Sequence, residues 1–474
     1  MDERGVVRER EDPALPPRGH PLAELPAPPG AARATAAAAR ATATGPRARR
    51  AAARTFRGEL RRLLRAGEIT RADHDRYRRV FDDALAFVRK LSGTRQRALQ
   101  GVINNTTHMA QRGDMTASRL PAIFHTLERN RQWWATGRLL GSGERVAFND
   151  SELVWQYYPG EGIQLQVLGT FGKANGLWMQ RDREKLAQLL DEMTALASTR
   201  GGALAFEYYF YFGGGKPPWA SAMAQATGIQ ALARASQLLR RPDYLETARR
   251  AVRLMGMAAP TGVSVRTRLG RRFLLYSFAP GQRVLNGFVQ SLVGLHDYAA
   301  IAGDDARARR LFRAGERQAR ADLRASDTGA WSLYQIGGAE ADLNYQQLVT
   351  EFIANLCSRA RIDFWCAADE RFRRYLREPP QVRLLTKRVR AGTRALVRFE
   401  VSKIAKVGMA IRRAGATVFS TSATVARGAR GYTWSVPTAP GRYEVTLSGT
   451  DLAGNFGASR FTLTVLPRRG RADV

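Results

Sequence analysis

The rhythm of apolar residues changes once along this chain, at Pro379-Pro380, and that change divides what it can fold into. Upstream, segments such as FRGELRRLLRAGEI and RYRRVFDDALAFVRKL place apolar residues three and four apart, on one face of a helix. The same spacing recurs at 182–199, 219–240, 243–256, 284–302, 305–325 and 344–368, broken by GGGKPP (213–218) and AGDD (302–305). Sequential helix pairs joined by short turns predict an α/α toroid (barrel), with inner helices presenting residues at one mouth. Downstream, TRALVRFEVSK alternates Ala395, Val397, Phe399 and Val401. GRYEVTLSGTDLAGNFGASRFTLTVLP alternates Tyr443, Val445 and Leu447, turns at Asp451–Asn455 and alternates again. This period of two predicts an antiparallel, immunoglobulin-like β-sandwich.

The fold class expected is therefore multidomain α plus β, laid out in order. Residues 1–50, rich in Pro, Ala and Arg and without Phe, Trp or Tyr, are expected to be disordered. Residues 51–143 form a helical N-terminal region, in which Thr116 or Ser118 caps the helix of LPAIFHTLERNRQWWATGRLL. Residues 144–378 form the toroid and 381–468 the sandwich. Within the toroid, 144–180 is dense in aromatics and glycines and reads as short strands and loops. Its glycines lack the GxxxxGK[ST] order of a phosphate loop.

The net charge is +33, mostly from arginine, which suits polyanionic partners or simply a solvated, arginine-rich surface. Residues 381–474 alone hold 17 Lys/Arg against 4 Asp/Glu. No nucleic-acid recognition motif accompanies the charge. Cys357 and Cys366 are expected to be two buried, inert thiols. His20, His74, His108, His125 and His296 show no ligand spacing, so neither a metal nor another cofactor is expected. No apolar run reaches the ~18 residues of a membrane span, and no leader is visible at the N-terminus. An extracellular or cell-surface location is suspected from the sandwich, and homodimerisation is left open.

The stretch from PPWASAMAQATGIQALARA through VLNGFVQSLVGLHDY to NYQQLVTEF resembles the C-terminal domain of D-glucuronyl C5-epimerases. The shared elements are W-x-S-A-M-A-Q (Trp219 to Gln225), Tyr276 with Pro280 ahead of V-L-N-G-F, and S-L-x-G-L-x-D. The resemblance covers roughly residues 150–375. It implies that Tyr276, Tyr334 and Tyr345 are the active-site tyrosines, in an enzyme that inverts C5 of uronic acid residues within an acidic polysaccharide. Leu275 stands where the family has a glutamate, and Gly337-Gly338 stand where it has Arg-His.

The chemistry explains why such residues are wanted. Removing the C5 proton beside a carboxylate leaves an ene-diolate, and two groups on opposite faces must hold and return the proton. Cations or dipoles must offset the developing charge. Tyr276 and Tyr345 are expected to be the two proton carriers, with Tyr334 polarising the carboxylate or ring oxygen. The packing alternative for any one of them is a half-buried ring with a bonded hydroxyl. Further candidates for substrate contact are Lys173 (or else exposed), Trp219 (or else core), Gln225 and Asn286 (or else a helix cap). In FEYYFYF, Glu207 and its tyrosines read more readily as a buried strand than as a sugar cleft, and His296 as structural. Two other activities fit the same residues. One is a polyuronate lyase, which shares the C5 abstraction and then expels the C4 substituent. The other is non-catalytic binding of a glycan or the cell envelope.

Overall fold

The computed structural model describes residues 55–303 and 305–468, so the expectation for 1–50 lies outside the described residues. They fall into two compact units. The first holds everything up to Arg283 together with Gly287–Ala319, and the second holds Val284–Asn286 and Arg320 onward. The division therefore passes through two helices.

The first unit starts with helices α1 (Phe56–Arg65), α2 (Arg71–Val88), α3 (Gly93–Arg112) and α4 (Leu120–Thr136). Helix α2 opens on a capping box, in which Thr70 and Asp73 satisfy each other's backbone amides. A three-stranded antiparallel sheet follows: β1 (Arg145–Val146), β2 (Trp155–Tyr158) and β3 (Gly162–Leu165). Then come α5 (Val167–Gln180) and α6 (Arg183–Ala195), the hairpin β4 (Ser198–Arg200) and β5 (Ala203–Ala205), and α7 (Ala222–Leu239) and α8 (Pro242–Met255). The hairpin β6 (Ser264–Arg266) and β7 (Arg271–Phe273) leads to α9 (Leu285–Ile301) and α10 (Ala306–Ser326). Helix α8 buries Tyr244, Ala248, Ala251, Val252 and Met255 along one stripe, as its spacing predicts. Helix α7 is buried on almost every side over its first three turns. Its small residues allow this. A Cβ on Gly228 would lie 2.6 Å from the Phe171 ring of α5, and one on Gly294 of α9 would lie 2.4 Å from the Ala226 carbonyl.

The second unit contains the end of α10, a loop over 327–342, and helices α11 (Leu343–Ala360) and α12 (Asp363–Tyr375). Eight strands follow: β8 (Val382–Leu384), β9 (Arg388–Arg390), β10 (Arg394–Val401), β11 (Ala405–Arg413), β12 (Ala416–Val425), β13 (Gly428–Ser435), β14 (Gly441–Asp451) and β15 (Phe456–Leu466). They form sheets β13-β10-β8 and β12-β11-β14-β15-β9 around one core. Val397, Phe399 and Val401 of β10 and Tyr443, Val445 and Leu447 of β14 point into it. That is the alternation read from the sequence.

Several expectations are corrected. The glycine-dense 167–180 is a helix, because burying Val167, Leu168, Phe171, Ala174 and Leu177 outweighs a propensity cost of ~1 kcal/mol per glycine. The single helix expected over 344–368 is two, parted by Arg361 at φ 50°. That turn folds α11 and α12 together, and Cys357 and Cys366 are joined in a disulfide rather than being two free thiols. Thr116 precedes a short 3-10 turn, neither it nor Ser118 caps a helix, and α4 starts at Leu120. Asn286 lies inside the first turn of α9, not before it. The sandwich is not wholly antiparallel, since β9 runs parallel to β15.

Candidate functional site

In the first unit the sequence FEYYFYF gathers aromatic rings around Trp219. Tyr208 stacks on the indole at 4.1 Å and 9°, and Tyr276 meets it edge-on at 5.7 Å. Tyr276 in turn stacks on Phe278. Both Trp219 and Tyr276 are 1% exposed, and the indole Nε1 donates to the Phe210 carbonyl at 2.9 Å. Trp219 and Tyr276 are thus brought together, while Gln225 and Lys173 are engaged elsewhere. The Gln225 amide accepts from Phe206 N and donates to the carbonyls of Leu204 and Ala251, tying α7 to β5 and α8. Lys173 is neither exposed nor facing solvent, because it is buried in an ion pair with Glu152.

Two arrangements in this unit were invisible in the sequence. Arg112, Arg119, Arg200 and Lys216 line a cleft of about 330 Å³. Glu207 lies buried beneath it, bound by Arg119 at 2.7 Å, by Ser198 at 2.6 Å and by Arg200. Burial pushes the Glu207 carboxyl up, but the two guanidiniums outweigh burial and hold it below the usual carboxylate range. Four cations line the cleft against Asp114 and Glu207, leaving positive charge for an anionic ligand.

The second arrangement is built on Glu161. The turn between β2 and β3 presses on α3, where a Cβ on Gly101 would lie 2.0 Å from the Gly160 carbonyl. This close approach sets Glu161 beside Asn105 and the amide of Tyr211, at 2.9 and 3.1 Å. Burial pushes its carboxyl up to about 7, against those two hydrogen bonds. Around it, the Tyr211 hydroxyl bonds His108 and Arg112, each at 3.2 Å.

In the second unit, Asp342 caps α11 by accepting from the Tyr345 amide at 2.9 Å. The Tyr345 ring meets Tyr334 of the preceding loop. That loop is pinned by Trp331, whose Nε1 donates to the Ala341 carbonyl, and by Ser332, whose amide and hydroxyl both donate to Gln346. Tyr334 Oη, Gln335 Oε1, Glu340 Oε1 and Gln346 Nε2 are buried and have no hydrogen-bond partner among the described residues. Orphaned buried polar atoms are scarce in folded proteins, and four of them fall between residues 334 and 346. Burial raises the Tyr334 phenol above its ordinary value, helped by Asp342, so it is neutral and a proton donor at neutral pH. Asn286, in the same unit, is 5% exposed.

Comparison with known proteins gives these residues a context. Residues 200–374 match the family described as D-glucuronyl C5-epimerase C-terminus. The D-glucuronyl C5-epimerase of Caenorhabditis elegans is 33% identical over 132 residues, covering 25% of this chain and 21% of that protein. The match thus spans about a fifth of the relative's length. Among solved structures, an endo-beta-1,4-glucanase CMCax from Acetobacter xylinum aligns at TM-score 0.30 and 11% identity, over 41% of this chain and 68% of that one. A possible member of the GH105 family from Salmonella enterica aligns at TM-score 0.35 and 14% identity, over 59% and 68%. Likenesses this slight add nothing to the fold described above. Residues 200–374 are thus similar to the D-glucuronyl C5-epimerase C-terminal family.

Proposed function

We propose that the chain acts at C5 of uronic acid residues in an acidic polysaccharide, abstracting a proton and returning it. The observation that carries this reading is the Tyr334–Tyr345 pair with its orphaned polar neighbours, which falls inside the matched segment. Tyr276, Tyr334 and Tyr345 are the candidate acid–base groups. A neutral Tyr334 donates a hydrogen bond to the substrate carboxylate or ring oxygen, favouring the ene-diolate over the ground state. The cation-lined cleft supports a polyanionic substrate. Gln225 and Lys173, whose polar groups are held by backbone and by Glu152, are read as supports, and Trp219, packed beside Tyr276, and Asn286 as candidate sugar contacts. The helix pairs α5/α6, α7/α8, α9/α10 and α11/α12 are read as parts of an α/α toroid. The sandwich is read as immunoglobulin-like, supported by the Tyr443 hydroxyl donating to the Ala439 carbonyl four residues upstream.

The test is incorporation of solvent deuterium at C5 of a panel of polyuronates. Exchange with intact chains supports the reading. Cleavage with an unsaturated, ultraviolet-absorbing product assigns a lyase instead, and binding without either assigns a glycan-binding protein.

A further inference from the structure

We infer that the C-terminal sandwich is a working part of the Tyr334 site, with Glu340 as the positioning residue that ties the tyrosine's loop to it. The inference rests on the role given to Tyr334 above. The loop over 327–342 is closed on itself by its own bonds, among them the Ala341 amide donating to the Ser332 carbonyl at 2.9 Å. The Tyr334 amide donates to the Ala339 carbonyl at 3.0 Å, the Leu333 amide to the Ser326 carbonyl at 2.8 Å, and Leu333 faces Glu340 in an isolated bridge. What holds its outer side comes from two turns of the sandwich. The Arg427 amide, between β12 and β13, donates to Glu340 Oε2 at 3.2 Å. Burial pushes the Glu340 carboxyl above its ordinary range, and the amide and charge of Arg427, the backbone of Ile404 between β10 and β11, and the charge of Arg430 act against that. Next to Ile404, the Lys403 ammonium sits 5.2 Å over the Trp331 ring, whose Nε1 holds the loop's far end at Ala341.

A plain domain attachment would not need these contacts. The sandwich is already fastened to the helices by Lys403, which donates to the carbonyls of Tyr375 and Glu378, and by Asn455, which donates to that of Leu376. The Glu340 contact falls on the loop alone, six residues from Tyr334 and opposite Leu333 in the bridge. Removing it frees the tyrosine's support and leaves the attachment in place.

Hydrogen–deuterium exchange of the full chain, without ligand, compares the parent with Glu340→Ala and Glu340→Gln. In Glu340→Ala the amides of Leu333, Tyr334 and Ala341 should exchange about tenfold faster or more, while β14 and β15 keep their protection. Glu340→Gln keeps an oxygen that accepts from Arg427 and should restore protection. In the C5 assay, Glu340→Ala should lower kcat, and Glu340→Gln should recover part of that loss. Unchanged protection over 332–341 in Glu340→Ala overturns the inference, as does equal loosening of β14 and β15. Should Glu340→Ala fail to fold, Arg427→Pro removes the donor amide and must loosen the same loop, or the inference falls. A parent without C5 exchange defeats the epimerase reading, and the loop's protection still decides the positioning.

Discussion

Tyr345 meets the ring of Tyr334 edge-to-face, with centroids 4.9 Å apart and planes at 88°. The contact fixes the ring of Tyr334, while its buried hydroxyl has no partner among the described residues. Tyr334→Phe therefore keeps the packing and removes an orphaned polar atom. Stability should be unchanged or higher by up to ~1 kcal/mol in urea unfolding. C5 exchange should fall by ~10²–10⁴-fold. A Phe variant as active as the parent removes Tyr334 from the chemistry.

Glu161 sets a pH dependence of opposite sign to that of most carboxylates. Its folded value is raised to about 7, whereas a free glutamate titrates near ~4.3. Between the two values the folded chain binds more protons than the unfolded one, so stability falls as pH rises through that window. In Glu161→Gln the amide oxygen can still accept from Asn105 and Tyr211. The variant should match the parent near ~pH 4 and exceed it by about 1–3 kcal/mol near ~pH 8, read from urea unfolding at both.

Glu207 behaves in the usual direction. Its folded value is depressed, so its contribution is present above the unfolded value and lost as pH falls through the folded one. Glu207→Gln leaves Arg119 and Arg200 facing each other without a counter-charge. The loss should be about 3–5 kcal/mol at neutral pH, measured by thermal or denaturant unfolding.

The cleft over Glu207 should bind polyanions through the cations not committed to it. Arg112→Ala and Lys216→Ala should each weaken binding of a polyglucuronate by ~3- to 10-fold at low salt, with the difference shrinking as salt rises. Titration calorimetry at two ionic strengths measures both effects. Equal affinity in parent and variants would move the substrate away from this cleft.

The Cys357–Cys366 bridge closes a short loop between α11 and α12. Replacing both cysteines by serine should cost about 2–3 kcal/mol for a loop of this length. Denaturant unfolding with and without a reductant tests it, because the serine variant should be insensitive to reduction.

Much of the fold was legible because burial imposes a period. The alternation in β10 and the stripe of α8 survive into the structure because one face of each is buried. Helix α5 was not legible, since its glycines contradict helix propensity and only the packed surroundings overrule them. Nor was the break at Arg361, because an arginine gives no sign that it will take a left-handed backbone. The three tyrosines are picked out by their flanking motifs, and of these Tyr334 and Tyr345 meet in the structure. The Arg119–Glu207–Arg200 cluster could not, because Arg119 and Glu207 lie 88 positions apart and neither has a distinctive neighbour. Glu161 depends on the close approach of two backbones at Gly101, which no spacing records.

The ammonium of Lys403, bonded to the carbonyls of Tyr375 at the C-terminus of α12 and of Glu378 beyond it and paired with Asp451, makes the composition break at Pro379-Pro380 a poor place to divide the gene. A fragment stopping there would turn the carbonyls of Tyr375 and Glu378 toward water, and one starting there would carry a buried lysine that has lost two of its three polar partners. Recombination at that point yields two damaged products, so the helices and the strands are expected to have been inherited together.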